Sequence, residues 1–158
     1  MGTRRKPISP RHALTLILLL GLGGLTGCVA LGGRPAKDAL TPAEHLQLGA
    51  SYEQSGKWEL ALREYRRAEV GPLQGAALTC QGNLHAAQGQ ADAAEDAYRA
   101  ALALEPDNPV ALNNLAWLLG QQGRLLDEAE QMVRRAIALD PGSAAAYQDT
   151  LAAILAAR

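Results

Sequence analysis

Small residues mark a regular step along residues 42–143. Gly56, Gly89 and Gly123 lie 33 and 34 residues apart, and seven residues before each stands another small side chain, Gly49, Gly82 or Ala116. After each glycine come Ala61, Ala94 or Ala129, then Tyr65, Tyr98 or Val133, then Ala68, Ala101 or Ala136. Two units close on an acid followed by proline, Glu105-Pro106 and Asp140-Pro141, and the first closes on Gly71-Pro72. The pattern predicts a pair of helices per unit. A left-handed glycine ends the first helix of each pair, and the proline ends the second. Thr41-Pro42-Ala43-Glu44 predicts a sharp start: an N-cap Thr, Pro in the first turn, and Glu three residues after the cap. Ser143 predicts the cap of a last helix over about 144–157, apolar through Leu151, Ile154 and Leu155 among many alanines. That helix either packs fully on the preceding pair or leaves a patch that docks a partner.

Ahead of the repeats the pattern changes. Arg4, Arg5, Lys6 and Arg11 form a basic tip without an acid, and Ala13 to Leu25 is an almost wholly apolar run. The run falls short of the ~20 residues of a membrane-spanning helix, so tip and run predict an export signal rather than a permanent span. Residues 28–40 show no sustained period and read as a flexible tether with a reach of roughly 40 Å. Removing residues 1–27 leaves one small domain. All 16 acids but only 11 of the 15 basic residues follow Gly27, a net charge of −5 with His neutral. Such a chain has no general attraction to nucleic acid or anionic headgroups. It has no Phe, and its Ala and Leu suit closely packed helices.

Candidate chemistry is sparse. His45 and His85 stand about one unit apart, and no His, Cys and carboxylate set has metal-ligand spacing. With no strand predicted there is no phosphate loop of the strand–glycine–helix kind. The expectation is a protein without catalytic residues, cofactor or small-molecule substrate. Asp92, Glu95 and Asp96 fall at solvent-exposed phases. Cys80 reads as a small buried helix residue, with an intermolecular disulfide or reactive thiol as the other reading. Trp58, just past the Gly56 turn, is expected to pack between the first two helices.

The phased set from Gly49 to Ala136 resembles the tetratricopeptide repeat, a helix–turn–helix unit of about 34 residues. The resemblance implies an all-α fold, a right-handed superhelical solenoid of three units, about 42–74, 75–108 and 109–143. Residues 144–158 then supply the capping helix that a stacked array needs. Some positions depart from the family. The first unit is one residue short, Gln81 stands where Leu is usual, and His85 stands where the first unit has Tyr52. The third unit carries an extra residue within Arg124–Glu128, which predicts a looser turn.

Leu25-Thr26-Gly27-Cys28 resembles the lipobox of bacterial lipoproteins. That resemblance implies cleavage after residue 27 and acylation of Cys28 by diacylglycerol and an N-acyl chain, which then supply the membrane link. By the Gram-negative sorting pattern, a residue other than Asp after the cysteine, here Val29, implies the outer membrane facing the periplasm.

In the repeat family the first, or A, helices line a concave face through their second, fifth, ninth, twelfth and thirteenth positions. On this sequence those positions are Ala43, Leu46, Ala50, Glu53 and Gln54, then Ala76, Thr79, Asn83, Ala86 and Ala87, then Val110, Asn113, Trp117, Gly120 and Gln121. The candidate groove residues are Leu46, Glu53, Thr79, Asn83, Asn113, Trp117 and Gln121. Trp117 either buries against a partner or packs on small residues of neighbouring helices. Asn83 and Asn113 either bond an extended peptide backbone or bond helix neighbours and water. Leu46 and Val110 stand at two sites where chaperone-type repeat domains clamp a carboxylate with Lys or Arg. The plan is similar to outer-membrane pilotins of type IV pili and other envelope-assembly lipoproteins, although pilotins have more repeats. It implies an adaptor for protein partners in the cell envelope. Two other readings are a self-associating unit paired through its last helix, and a holdase for exported chains.

Overall fold

A computed structural model describes residues 40–158. The expected signal at residues 1–27, Cys28 and nearly all of the tether at 28–40 lie outside the described residues. Seven α-helices follow in order: α1 (Pro42–Gln54), α2 (Trp58–Arg67), α3 (Gln74–Ala87), α4 (Ala91–Leu104), α5 (Pro109–Gln121), α6 (Leu126–Leu139) and α7 (Ala144–Ala156). Single 3₁₀ turns at Gly71–Leu73 and Pro141–Ser143 precede α3 and α7. The helices pair as α1 with α2, α3 with α4 and α5 with α6, and each pair packs on the next. Helix α7 lies against both α5 and α6.

Local chemistry sets these boundaries. The Thr41 hydroxyl accepts from the Glu44 N–H at 3.3 Å, and the Glu44 carboxylate accepts from the Thr41 N–H at 2.7 Å, a reciprocal cap. Asn108 caps α5 by accepting from the Ala111 N–H at 3.0 Å, with Pro109 behind it. The three turns within pairs share one device. Gly56, Gly89 and Gly123 have φ of 68°, 70° and 62°. The next N–H, on Lys57, Gln90 or Arg124, donates back to the carbonyl of Tyr52, His85 or Leu119 at 2.9, 2.9 and 3.0 Å. The looser third turn expected from the extra residue is not what forms. Its hydrogen bonds match those of the other two, and the insertion is absorbed at Leu125, the one described non-glycine residue with positive φ, at 49°.

Small side chains hold the layers together. Ala61, Ala68, Ala94, Ala101, Ala129 and Ala136 are all completely buried. A Cβ on Gly49 would lie 2.5 Å from the Tyr65 ring, and one on Gly82 would lie 2.4 Å from the Tyr98 ring. The third unit solves the same contact with Ala116 and Val133, both fully buried. A smaller partner on the B helix leaves room for a methyl on the A helix. Gln81, unusual at a core position, is buried and donates to Glu69 at 2.7 Å, so its amide is satisfied. Cys80 is half-buried against the Ala61–Tyr65–Leu84 cluster, and burial pushes its thiol up, away from thiolate chemistry.

Three expectations change at the level of side chains. Trp58 opens α2 and is 38% exposed, because at the first turn it precedes the stretch where α1 and α2 close together. Ser143 does not cap α7 with its hydroxyl. Asp140 instead accepts from the Ser143 N–H at 3.3 Å and from the Tyr147 hydroxyl at 3.3 Å. Asp92 and Asp96 are exposed as expected, but Glu95 is drawn inward between Arg99 at 3.0 Å and Arg124 at 3.1 Å, tying the second unit to the third.

One buried polar pair was not foreseen. His45 Nδ1 lies 2.8 Å from Glu64 Oε2, and the two residues are 2% and 1% exposed. Burial pushes the Glu64 carboxyl up, but His45 and the guanidinium groups of Arg63 and Arg67 outweigh it and hold the acid below the usual carboxylate range. An ionised Glu64 only accepts, so the imidazole carries its proton on Nδ1. An acid held below its unfolded value, about 4.3, stabilises the fold above that pH and surrenders the contribution as pH falls through the folded value. Melting measured from pH 6 down to pH 3, a range set around that carboxylate value, should therefore fall less steeply for Glu64→Gln than for the parent. Equal slopes would show that the buried acid is not held below its unfolded value.

Candidate partner-binding groove

The A helices α3, α5 and α7 touch one another directly in sequence, so their free faces form one surface. Its residues do not contribute equally. Leu46 is half-buried against the Ala61–Tyr65–Leu84 cluster. Glu53 accepts from the Tyr65 hydroxyl at 2.5 Å, which fixes the single acid at the predicted groove positions. Thr79 is turned inside, 5% exposed, with its hydroxyl donating to the Gly75 carbonyl at 2.9 Å. Helix α3 is flanked by pairs on both sides, and that covers the position.

Asn83 and Asn113 join a network with Tyr98 and Asn114. Asn83 Oδ1 accepts from the Tyr98 hydroxyl at 2.9 Å and from Asn114 Nδ2 at 2.8 Å. Burial pushes the Tyr98 phenol up to about 12, so it remains a donor at neutral pH. Asn114 Oδ1 in turn accepts from Asn113 Nδ2 at 3.1 Å. The neighbour-bonding reading therefore accounts for the Asn83 oxygen. Asn114, which ties α5 to α3, was the member missed; the adjacent Asn113-Asn114 pair was its sequence signal.

Trp117 stands differently. It is 45% exposed, and Gln121 one turn on is exposed as well. Beside it, between α5 and α7, opens a cleft of about 200 Å³ walled by Trp117, Gly120, Ala153 and Ile154. No Lys or Arg occupies any of the predicted groove positions, so the surface cannot clamp a carboxylate by charge. Leu155 on α7 is 44% exposed, so the last helix packs through Tyr147, Thr150 and Ile154 without becoming fully covered. A larger cleft of about 500 Å³ lies on the B-helix side, over Leu102, Leu112, Leu115 and Met132. Its two arginines are already paired, Arg99 with Glu95 and Glu128, Arg135 with Asp107. Among the described residues no group of three or more His, Cys, Asp or Glu could hold a metal ion.

Comparison with known proteins agrees with this architecture. Residues 85–154 match the tetratricopeptide repeat family. The type IV pilus assembly protein PilF of Pseudomonas aeruginosa is 33% identical over 133 residues, 80% of this chain and 51% of that protein. The chain thus spans about half the length of this relative. Among solved structures, PcrH from Pseudomonas aeruginosa superposes with a TM-score of 0.63 at 21% identity, over 72% of this chain and 91% of that one. The type III secretion translocator chaperone SycD of Yersinia enterocolitica gives 0.61 at 25% identity, over 71% and 81%. SycD in complex with a peptide of the translocator YopD gives 0.61 at 24%, over 71% and 90%. Tetratricopeptide repeats are interaction scaffolds, and the family match carries the assignment of this chain as non-enzymatic. Three helix pairs in one register, a capping helix and the family match through residues 85–154 give this chain a tetratricopeptide-repeat fold.

Proposed function

We propose that the chain is a lipid-anchored adaptor of the bacterial envelope that captures a protein partner on its A-helix face, with Trp117 as the anchor. One observation carries the reading: a tryptophan 45% exposed beside a cleft, on a surface of mostly small and neutral side chains. Large aromatics that are half-solvated in the free protein and desolvated on binding supply much of an interface's energy. A solved relative in fold, SycD, holds a peptide of another protein, which supports peptide capture here. Acylated Cys28 would hold the domain to the membrane, and Val29 directs it to the outer membrane facing the periplasm. With a net charge of −5 after Gly27, the acyl chains are the membrane contact. The likeness to PilF supports a narrower version, an assembly factor for a type IV pilus or a secretion system.

Crosslinking in the native envelope followed by mass spectrometry tests both halves. Trp117→Ala should weaken partner capture about tenfold with no drop in melting temperature. Cys28→Ser should leave the membrane fraction while keeping the partner. A lower melting temperature with undiminished capture would make Trp117 a packing residue and remove the site. A Cys28→Ser protein still held in the membrane would remove the acyl anchor.

A further inference from the structure

Each helix pair is an antiparallel hairpin, and the links between pairs, at residues 68–73, 105–108 and 140–143, are short. All three links and the start of α1 therefore share one edge of the array, and the glycine turns share the other. Five of the nine large apolar side chains exposed among the described residues lie on the link edge: Leu40 just before α1, Val70 in the first link, Leu104 and Leu139 as the last residues of α4 and α6, and Val110 at the start of α5. All five described prolines stand there too, each without an N–H to leave unbonded.

The acids of this edge are all held by the protein itself. Glu44 accepts from the Thr41 N–H, Glu69 from Gln81, Glu105 from Asn108 Nδ2 at 2.9 Å, Asp107 from Arg135 and Asp140 from the Ser143 N–H. The turn edge differs. Trp58, Leu125 and Leu155 are exposed there, but among charges that include Glu59 and Asp92, exposed acids with no hydrogen bond or ion pair among the described residues.

Chain connectivity points to the occupant of the link edge. Residues 28–39 enter the domain at Leu40, so Cys28 lies no more than roughly 40 Å from this edge. When Cys28 carries acyl chains, the link edge is the one held beside the bilayer, at high local concentration. It then needs little affinity of its own. Leucines, valines and prolines with no open carboxylate among them settle at the headgroup boundary with little desolvation cost.

We infer that the link edge rests on the membrane surface, with its exposed leucines and valines at the headgroup boundary. This contact rests on the acyl anchor proposed above. It stands the helices off the bilayer and turns the A-helix face sideways, with Trp117, eight residues along α5, about 12 Å above the edge. That face is then offered to proteins seated in or on the same membrane.

Tryptophan quenching by phosphatidylcholine brominated near the headgroup end of its acyl chains tests the contact, on the full acylated chain in vesicles of that lipid. Trp58 sits at the turn edge and Trp117 well above the link edge, so the parent should keep its emission. Leu104→Trp and Leu139→Trp, at exposed positions of the link edge, should lose the emission of the added residue. Leu125→Trp, exposed at the turn edge, should keep it. All three should melt with the parent. Equal loss from Leu125→Trp and Leu104→Trp, or loss from none, in a chain that floats with the vesicles would leave the anchor standing and overturn the edge contact. Blue-shifted but unquenched emission from Leu104→Trp would give the edge to a second copy of the chain and overturn the contact too. A chain that does not float with the vesicles would remove the anchor, and this contact with it.

Discussion

Ala94→Glu should cost about 3–5 kcal/mol, the range for an uncompensated buried charge. Ala94 is completely buried, packed in the cluster that runs through Tyr98, Leu115, Ala129 and Ile154. The substitution adds volume where helices meet face to face as well as a charge without a counter-ion. A domain of this size has roughly 5–15 kcal/mol to lose, so the variant should be partly unfolded at ambient temperature. Ala100→Glu, on the same helix but exposed, should stay within about 0.5 kcal/mol of the parent. Urea midpoints read by circular dichroism compare them. Coincident midpoints for Ala94→Glu and the parent would mean that the alanine does not sit between helices and that the register of all three units is misplaced.

That register was legible in the sequence because each phased residue has a separate physical duty. Gly56, Gly89 and Gly123 adopt a backbone conformation that other residues enter at a cost, so the turns announce themselves. Gly49 and Gly82 announce a close approach, since nothing larger fits under Tyr65 and Tyr98. These are short-range demands that one chain segment makes on itself or on the next helix. Thr79 belongs to another class. It shares its repeat position with Leu46 and Asn113, which are half-buried, whereas Thr79 is inside. Its burial depends on pairs packed against both flanks of α3, which the phase of one helix does not contain. Glu95 was misplaced for the same reason: its second partner, Arg124, lies 29 residues on in the next unit. The His45–Glu64 pair joins a polar residue on each of two helices whose facing sides look amphipathic rather than mated. Ser143 failed as a cap because the acid before Pro141, read as a helix terminator, has a carboxylate long enough to take the Ser143 N–H itself. In the groove, the exposure of Trp117 followed from the repeat phase.

Gly82→Ala should destabilise by about 3 kcal/mol, the upper end for overpacking a tight core. The added methyl would lie 2.4 and 2.5 Å from two carbons of the Tyr98 ring. The ring is 2% exposed, and its hydroxyl is held by Asn83 at 2.9 Å, so it cannot swing aside without breaking that bond. The third unit shows the compatible pair, Ala116 on the A helix with Val133 on the B helix. Tyr98→Val alone should also destabilise, because it leaves a cavity over Gly82 and removes the hydroxyl that donates to Asn83 Oδ1. Placed together, the two changes recreate the contact of the third unit. The double variant should therefore be more stable than the sum of the single losses by about 1–3 kcal/mol, a coupling of the size seen for residues in direct contact. Denaturant midpoints of the parent, both single variants and the double variant supply the cycle. Simple additivity would show that the glycine does not serve the tyrosine. A positive coupling of that size would establish that glycine–tyrosine and alanine–valine are two volume-matched solutions to one packing problem, which is how this chain can vary its core residues from unit to unit while keeping its helix spacing.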